Sequence, residues 1–134
     1  MGVIPLTTFL NNVKDILYKK SPGTALFLDF VSRKETGMPF TESLLKKPDK
    51  LVDIIQKAYP DKYSVAFIYD LIVKIIASKL GKLDAVEEVK KALSNGCTSF
   101  VRLLKENGVN GSLNEAVCGL NPANSYEGSV ASLS

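Results

Sequence analysis

Few residues in this chain are of a kind that does chemistry. There is no histidine, which removes the commonest general base and the commonest transition-metal ligand together. What remains is Cys97, Cys118 and three charged side chains set among apolar ones. These are Asp29 in LFLDF and the pair Asp70 and Lys74 in SVAFIYDLIVKIIASKLG, residues 64–81. An enzyme would need Asp29, Asp70, Lys74 or Cys97 to converge in one pocket, and nothing in their spacing asks for it. Asp29 is expected to face solvent or to cap a neighbouring helix. Asp70 and Lys74 stand i, i+4 with the acid first, the favourable orientation on a helix surface, and are expected on its wet stripe. Cys97 falls near a helix N-terminus, where the dipole lowers a thiol pKa. With no base beside it, it reads as a small, partly buried hydrophobe. The two cysteines lack the spacing and the partners of a zinc site. One bridge is an alternative, but two free thiols in a reducing compartment are the expectation. No glycine-rich phosphate loop is present. The sequence therefore offers no catalytic, cofactor-binding or metal residues, and no small-molecule substrate.

The cations are the other candidate chemistry. Net charge is only +3, but all 17 Lys and Arg lie at or before Lys105, so the body is basic and the end weakly acidic. Four doublets stand out: Lys19-Lys20, Arg33-Lys34, Lys46-Lys47 and Lys90-Lys91. They could contact nucleic acid phosphates. Each also falls near the C-terminal end of an expected helix, where cations complement the macrodipole. The second reading is favoured, since no recognition helix or aromatic-basic interleaving accompanies them.

The elements that must position these groups are helical. Residues 6–20 place Leu6, Phe9, Leu10, Val13, Ile16 and Leu17 on one face, the spacing of an amphipathic helix. Residues 23–34 read as a second helix, with a strand as competitor. A short helix is expected at 41–46. Pro48 then opens another at its first position, followed by Leu51, Ile54, Ile55, Ala58 and Tyr59. The apolar helix of 64–80 would be about 25 Å long. That is short of the ~30 Å of a bilayer core, and Asp70, Lys74 and Lys79 interrupt it, so it reads as a central core helix. Ser64 is its expected N-cap and Gly81 its C-terminal stop. Residues 84–93 open with a capping-box variant, Asp84 and Glu87, and 97–107 form another amphipathic segment. A short helical turn is expected from Ser112, and residues 120–134 are expected to be a flexible tail. No segment alternates as a strand. The expected fold is all-α: one domain over 1–119, a compact bundle of six to seven helices around 64–80.

Residues 23–81 carry a resemblance. A glycine-terminated helix is followed by Phe40, Leu44, Pro48, Leu51 and Ile55. Tyr59 stands before a turn, and an apolar helix then ends at Gly81. This order resembles the small archaeal helical module called the Nitrosopumilus output domain. The chain departs from that module at Pro60, where a glycine is usual, and continues beyond it from Lys82. The resemblance implies a non-catalytic protein-contact role in an archaeon.

Two roles follow as expectations. The first is a cytoplasmic protein-interaction module that self-associates, burying part of Phe27, Phe30 or Phe100. The second is a structural subunit of a virion or nucleoprotein particle, with the doublets toward nucleic acid. No secretory signal, myristoylation pattern or membrane span is read in the sequence. Asn110-Gly111-Ser112 is a glycosylation sequon that would matter only on an exported chain.

Overall fold

A computed structural model of the chain describes residues 4–110 and Cys118. Among these residues the fold is all-α, built on seven α-helices: α1 (Leu6–Lys20), α2 (Pro22–Thr36), α3 (Phe40–Lys46), α4 (Leu51–Ala58), α5 (Lys62–Lys79), α6 (Val86–Ser94) and α7 (Cys97–Glu106). Single turns of 3-10 helix, Pro48–Lys50 and Leu83–Ala85, lead into α4 and α6. The expected turn at Ser112 and the tail of 120–134 lie outside the described residues.

The apolar stripe of α1 buries Leu6, Phe9, Leu10, Val13 and Leu17. Ser21 alone separates α1 from α2, and Pro22 stands in the first turn of α2, where its missing N–H costs nothing. The strand competitor for this stretch does not form. Alanine, leucine and valine at 25, 28 and 31, with Ser32, keep helical rather than alternating burial. Gly37, at φ +77°, ends α2 in the left-handed region that L side chains rarely adopt.

Packing joins helices that follow one another in the chain and also pairs α1 with α5, α2 with α4 and α3 with α7. α1 packs against α2 and α5, α2 against α3 and α4, α5 against α4 and α6, and α6 against α7, which touches α3. The interior is a single apolar cluster, with Phe9, Leu28, Ile55, Ile76, Leu93 and Phe100 among its fully enclosed members. The helix α5 is central only in its second half, where Ile68, Ile72, Val73, Ile75, Ile76 and Ala77 are buried. Its first turns are open.

Three local expectations need correction. The cap of α5 is Asp61, whose carboxylate accepts the Ser64 backbone N–H at 3.0 Å. Ser64 lies inside the helix. Both residues are good caps, and the chain starts the helix at the earlier one. The Asp84 and Glu87 box does not form, because a 3-10 turn carries the chain through 83–85 and Ala85 precedes α6 with no side-chain cap. A strand pair also exists. β1 (Ile4–Pro5) lies parallel to β2 (Val109–Asn110), with the Ile4 N–H donating to the Gly108 carbonyl at 2.7 Å. Two residues per strand are too few to show as alternation.

At its other end α5 stops as expected. The Lys82 N–H donates to the Ala77 carbonyl at 2.8 Å and the Gly81 N–H to that of Ser78 at 2.9 Å. These are the paired bonds of a Schellman motif, with Gly81 at φ +73°.

Candidate functional site

The groups proposed for chemistry are dispersed. Asp29 joins two helices. Its Oδ1 accepts the backbone N–H of Phe40, the first residue of α3, at 2.8 Å, and its Oδ2 accepts from Arg33 Nε at 2.9 Å. Burial pushes the carboxyl up, but these two bonds and the charges of Arg33 and Lys14 outweigh it and hold the group below its ordinary value. It is therefore the cap of a neighbouring helix, the second of the two placements expected for it.

Asp70 does not pair with Lys74. Its partner is Lys90 of α6, at 3.0 Å, which also reaches Glu87 at 3.8 Å and lies 5.9 Å from the Tyr69 ring centroid. The bond to Asp70 raises the Lys90 pKa. Burial raises that of the Tyr69 phenol, against the opposing effects of Ser94 and Lys90. Lys74 is exposed. The contact of α5 with α6 sets a cation from the next helix nearer than the one on the same helix.

Cys97 is bonded to Cys118, with Cα atoms 5.5 Å apart. The expectation of two free thiols is thus overturned. Cys97 is the first residue of α7, behind Gly96 at φ +102°. The chain returns past it after β2, a proximity no local pattern announces. None of the larger clefts described is lined by any two of Asp29, Asp70, Lys74 and Cys97. Among the described residues no three Cys, Asp or Glu side chains group as metal donors.

The doublets divide. Lys19 and Lys20 close α1, Arg33 and Lys34 close α2, Lys46 closes α3 with Lys47 as its C-cap, and Lys91 closes α6. Three of the eight cations have acidic partners: Arg33 with Asp29, Lys46 with Glu42 at 2.9 Å, and Lys90 with Asp70. A further cleft of 430 Å³ mixes Lys47, Lys50 and Lys57 with Glu35 and Asp53.

The distinctive surface is apolar. Leu26, Phe27 and Phe30 of α2 are 58, 42 and 61% exposed, Val52 of α4 38%, and Tyr63 and Phe67 of α5 80 and 70%. Tyr59, at the end of α4, joins these helices. Its ring meets that of Phe27 edge-on with centroids 5.7 Å apart, and its hydroxyl donates to Thr24 Oγ1 at 3.3 Å. Thr24 and Ser21 line one hollow with Tyr63 and Phe67. Val52, Tyr59 and Pro60 line a second hollow with Val65, Ala66 and Tyr69, on the other side of α5. Phe27 and Phe30 are thus where the sequence placed them, on the surface. Phe100 is not: it is fully enclosed. Cys97, Phe100, Val101 and Leu104 make the i, i+3, i+4, i+7 stripe of α7, a signal that marks Phe100 as core. Tyr63 and Phe67 were missed although they stand on the stripe of α5 that carries Asp70 and Lys74, because their apolar side chains suggest burial.

Set against family models, curated proteins and solved structures, the chain gives no match.

Proposed function

We propose that this chain is a non-catalytic interaction module that works by protein contact through the exposed face of α2, the end of α4 and the start of α5. The observation that carries the reading is the set of large exposed apolar side chains on α2, α4 and α5, with Phe27 packed edge-on against Tyr59. Contiguous exposed apolar surface marks interaction sites on folded proteins. The resemblance of residues 23–81 to an archaeal output domain points the same way.

We place the module in an archaeal cytoplasm. Intracellular disulfides persist in hyperthermophilic archaea, a setting that accommodates the Cys97–Cys118 bond. Among the described residues no helix is long and apolar enough to cross a membrane.

The alternative, a nucleoprotein subunit, draws on the five doublet cations that have no acidic partner among the described residues. Fluorescence anisotropy with duplex DNA separates the two. A protein-contact module leaves the DNA signal flat at ~50 mM and ~200 mM salt, whereas a phosphate-binding face loses affinity steeply between them. Binding that falls away with added salt, and with Lys19, Lys20, Lys34, Lys47 and Lys91 changed to Ala, would reverse the ranking.

A further inference from the structure

We propose that the Cys97–Cys118 bond is a redox-operated clasp: the bonded form is the resting one, and a dithiol reductant opens it without unfolding the helical body. The proposal goes beyond the interaction role and does not depend on it. Both half-cystines are only partly buried and pack on the rim of the core, so an attacking thiolate meets sulfur from solvent. The two sulfurs are not equivalent. Cys97 is the first residue of α7, and no side chain caps that helix. The first amide groups of an α-helix have no partner within it, and the dipole places partial positive charge there. A thiolate formed at that end of a helix is stabilised, and in thiol–disulfide exchange the better-stabilised thiolate leaves faster.

The step is accordingly directed. A thiolate of the reductant attacks Cys118 Sγ and forms a new S–S bond, while the Cys97–Cys118 bond breaks and its electron pair stays on Cys97 Sγ. The second thiolate of the reductant then displaces Cys118. The cystine has gained two electrons, the dithiol has become a disulfide, and the protons it gave up pass through water to the two cysteines. Opening leaves the core filled. Among the described residues every buried apolar side chain lies between Leu6 and Val109, and β2 stays paired with β1 through the backbone. Beyond Asn110 the one described attachment of the chain to this body is Cys118. The clasp thus decides whether the segment that follows β2 is tied to the start of α7 or released from it.

The test exposes the intact oxidised chain to dithiothreitol without denaturant and follows reduction by quenching, thiol alkylation and mass. The rate is expected to rise in direct proportion to dithiothreitol, because the bond is met in the folded state. A rate that levels off means that unfolding must come first, and overturns the proposal. The reduced chain is expected to keep its helical circular-dichroism signal, and loss of that signal on reduction overturns the proposal as well. Brief exposure to reduced glutathione, with acid quenching and peptide mapping, is expected to leave the adduct on Cys118 and a free thiol on Cys97. An adduct mainly on Cys97 contradicts the directed step and overturns the proposal. A glutamate-specific protease reads the release. Cleavage after Glu115 is expected to be several-fold faster in the reduced chain than in the oxidised one, and equally fast in Cys97→Ser/Cys118→Ser under both conditions, while Glu35, Glu42 and Glu87 in α2, α3 and α6 stay uncut. Equal cleavage of the oxidised and reduced chains overturns the proposal.

Discussion

The carboxylate of Asp29 lies 2.8 Å from the backbone nitrogen of Phe40, so a side chain of one helix caps the first turn of another. No residue adjacent to α3 could do this, since Pro39 precedes it and offers no side-chain acceptor. Asp29→Ala is expected to cost about 1 kcal/mol near neutral pH, the usual worth of a lost cap. The folded carboxyl titrates below its ordinary value, near 3.9 in an unfolded chain. Its contribution is therefore whole above about pH 5 and disappears as pH falls through the folded value. Urea midpoints of the two proteins should differ at pH 7 and converge near pH 2. A gap that stays constant with pH would contradict the capping role.

The aromatic residues of α2 and α7 should respond oppositely to truncation. Phe100→Ala opens a cavity in the core and is expected to cost about 3–5 kcal/mol. Phe30→Ala removes an exposed ring and should leave the unfolding of the monomer within about 0.5 kcal/mol of wild type. Denaturant melts of the two variants and the wild type at one protein concentration compare them directly.

Closure of a loop of sequence separation 21 by the Cys97–Cys118 bond is worth about 3 kcal/mol on the chain-entropy account. Reduction, or Cys118→Ser, should lower the free energy of unfolding by that amount, read from denaturant melts. Thiol labelling under denaturing, non-reducing conditions should find no reactive cysteine. Two labelled thiols in freshly isolated protein would place the bond outside the native state.

Asp70 should couple to Lys90 and not to Lys74. Double-mutant cycles with Ala at each position are expected to give a measurable interaction energy for the first pair and none for the second. Equal coupling would return the acid to its own helix.

Glycine substitutions supply a backbone check. Gly81 sits at φ +73°, and a Cβ there meets no atom, so Gly81→Ala should destabilise by about 1 kcal/mol through strain alone. Gly23 lies in the first turn of α2 with the same open space and no positive φ. Gly23→Ala should stabilise by up to about 1 kcal/mol, as thermal melts of both variants would show.

What the residue pattern reveals here depends on how far each interaction reaches. The bounds of α1 follow from its stripe and from Ser21-Pro22, all local, and the structure keeps them. The stop at Gly81 is equally local. The bond of Asp29 to Phe40, the partner of Asp70 and the disulfide all join residues of different elements, and a spacing rule within one helix cannot see them. The exposed face is a partial case. Phe27 and Phe30 lie off the buried stripe of Ala25, Leu28 and Val31, which the spacing shows. Tyr63 and Phe67 stand seven and three residues before Asp70, on the same outward stripe of α5 as Asp70 and Lys74, so their exposure too is open to a reading by spacing.

The parallel pairing of Ile4 with Val109 fixes how the molecule would carry tension. The chain enters along β1 and leaves along β2 in the same sense. A pull on the flanking segments therefore shears the ladder and loads its bonds together rather than one by one. With Cys97 joined to Cys118, a force applied beyond residue 118 bypasses β2 and arrives at the start of α7 through covalent bonds. Breaking that bond returns the load to the ladder. The same two ends would then give way under a weaker pull, with the redox state of one cystine setting the mechanical strength of the whole body.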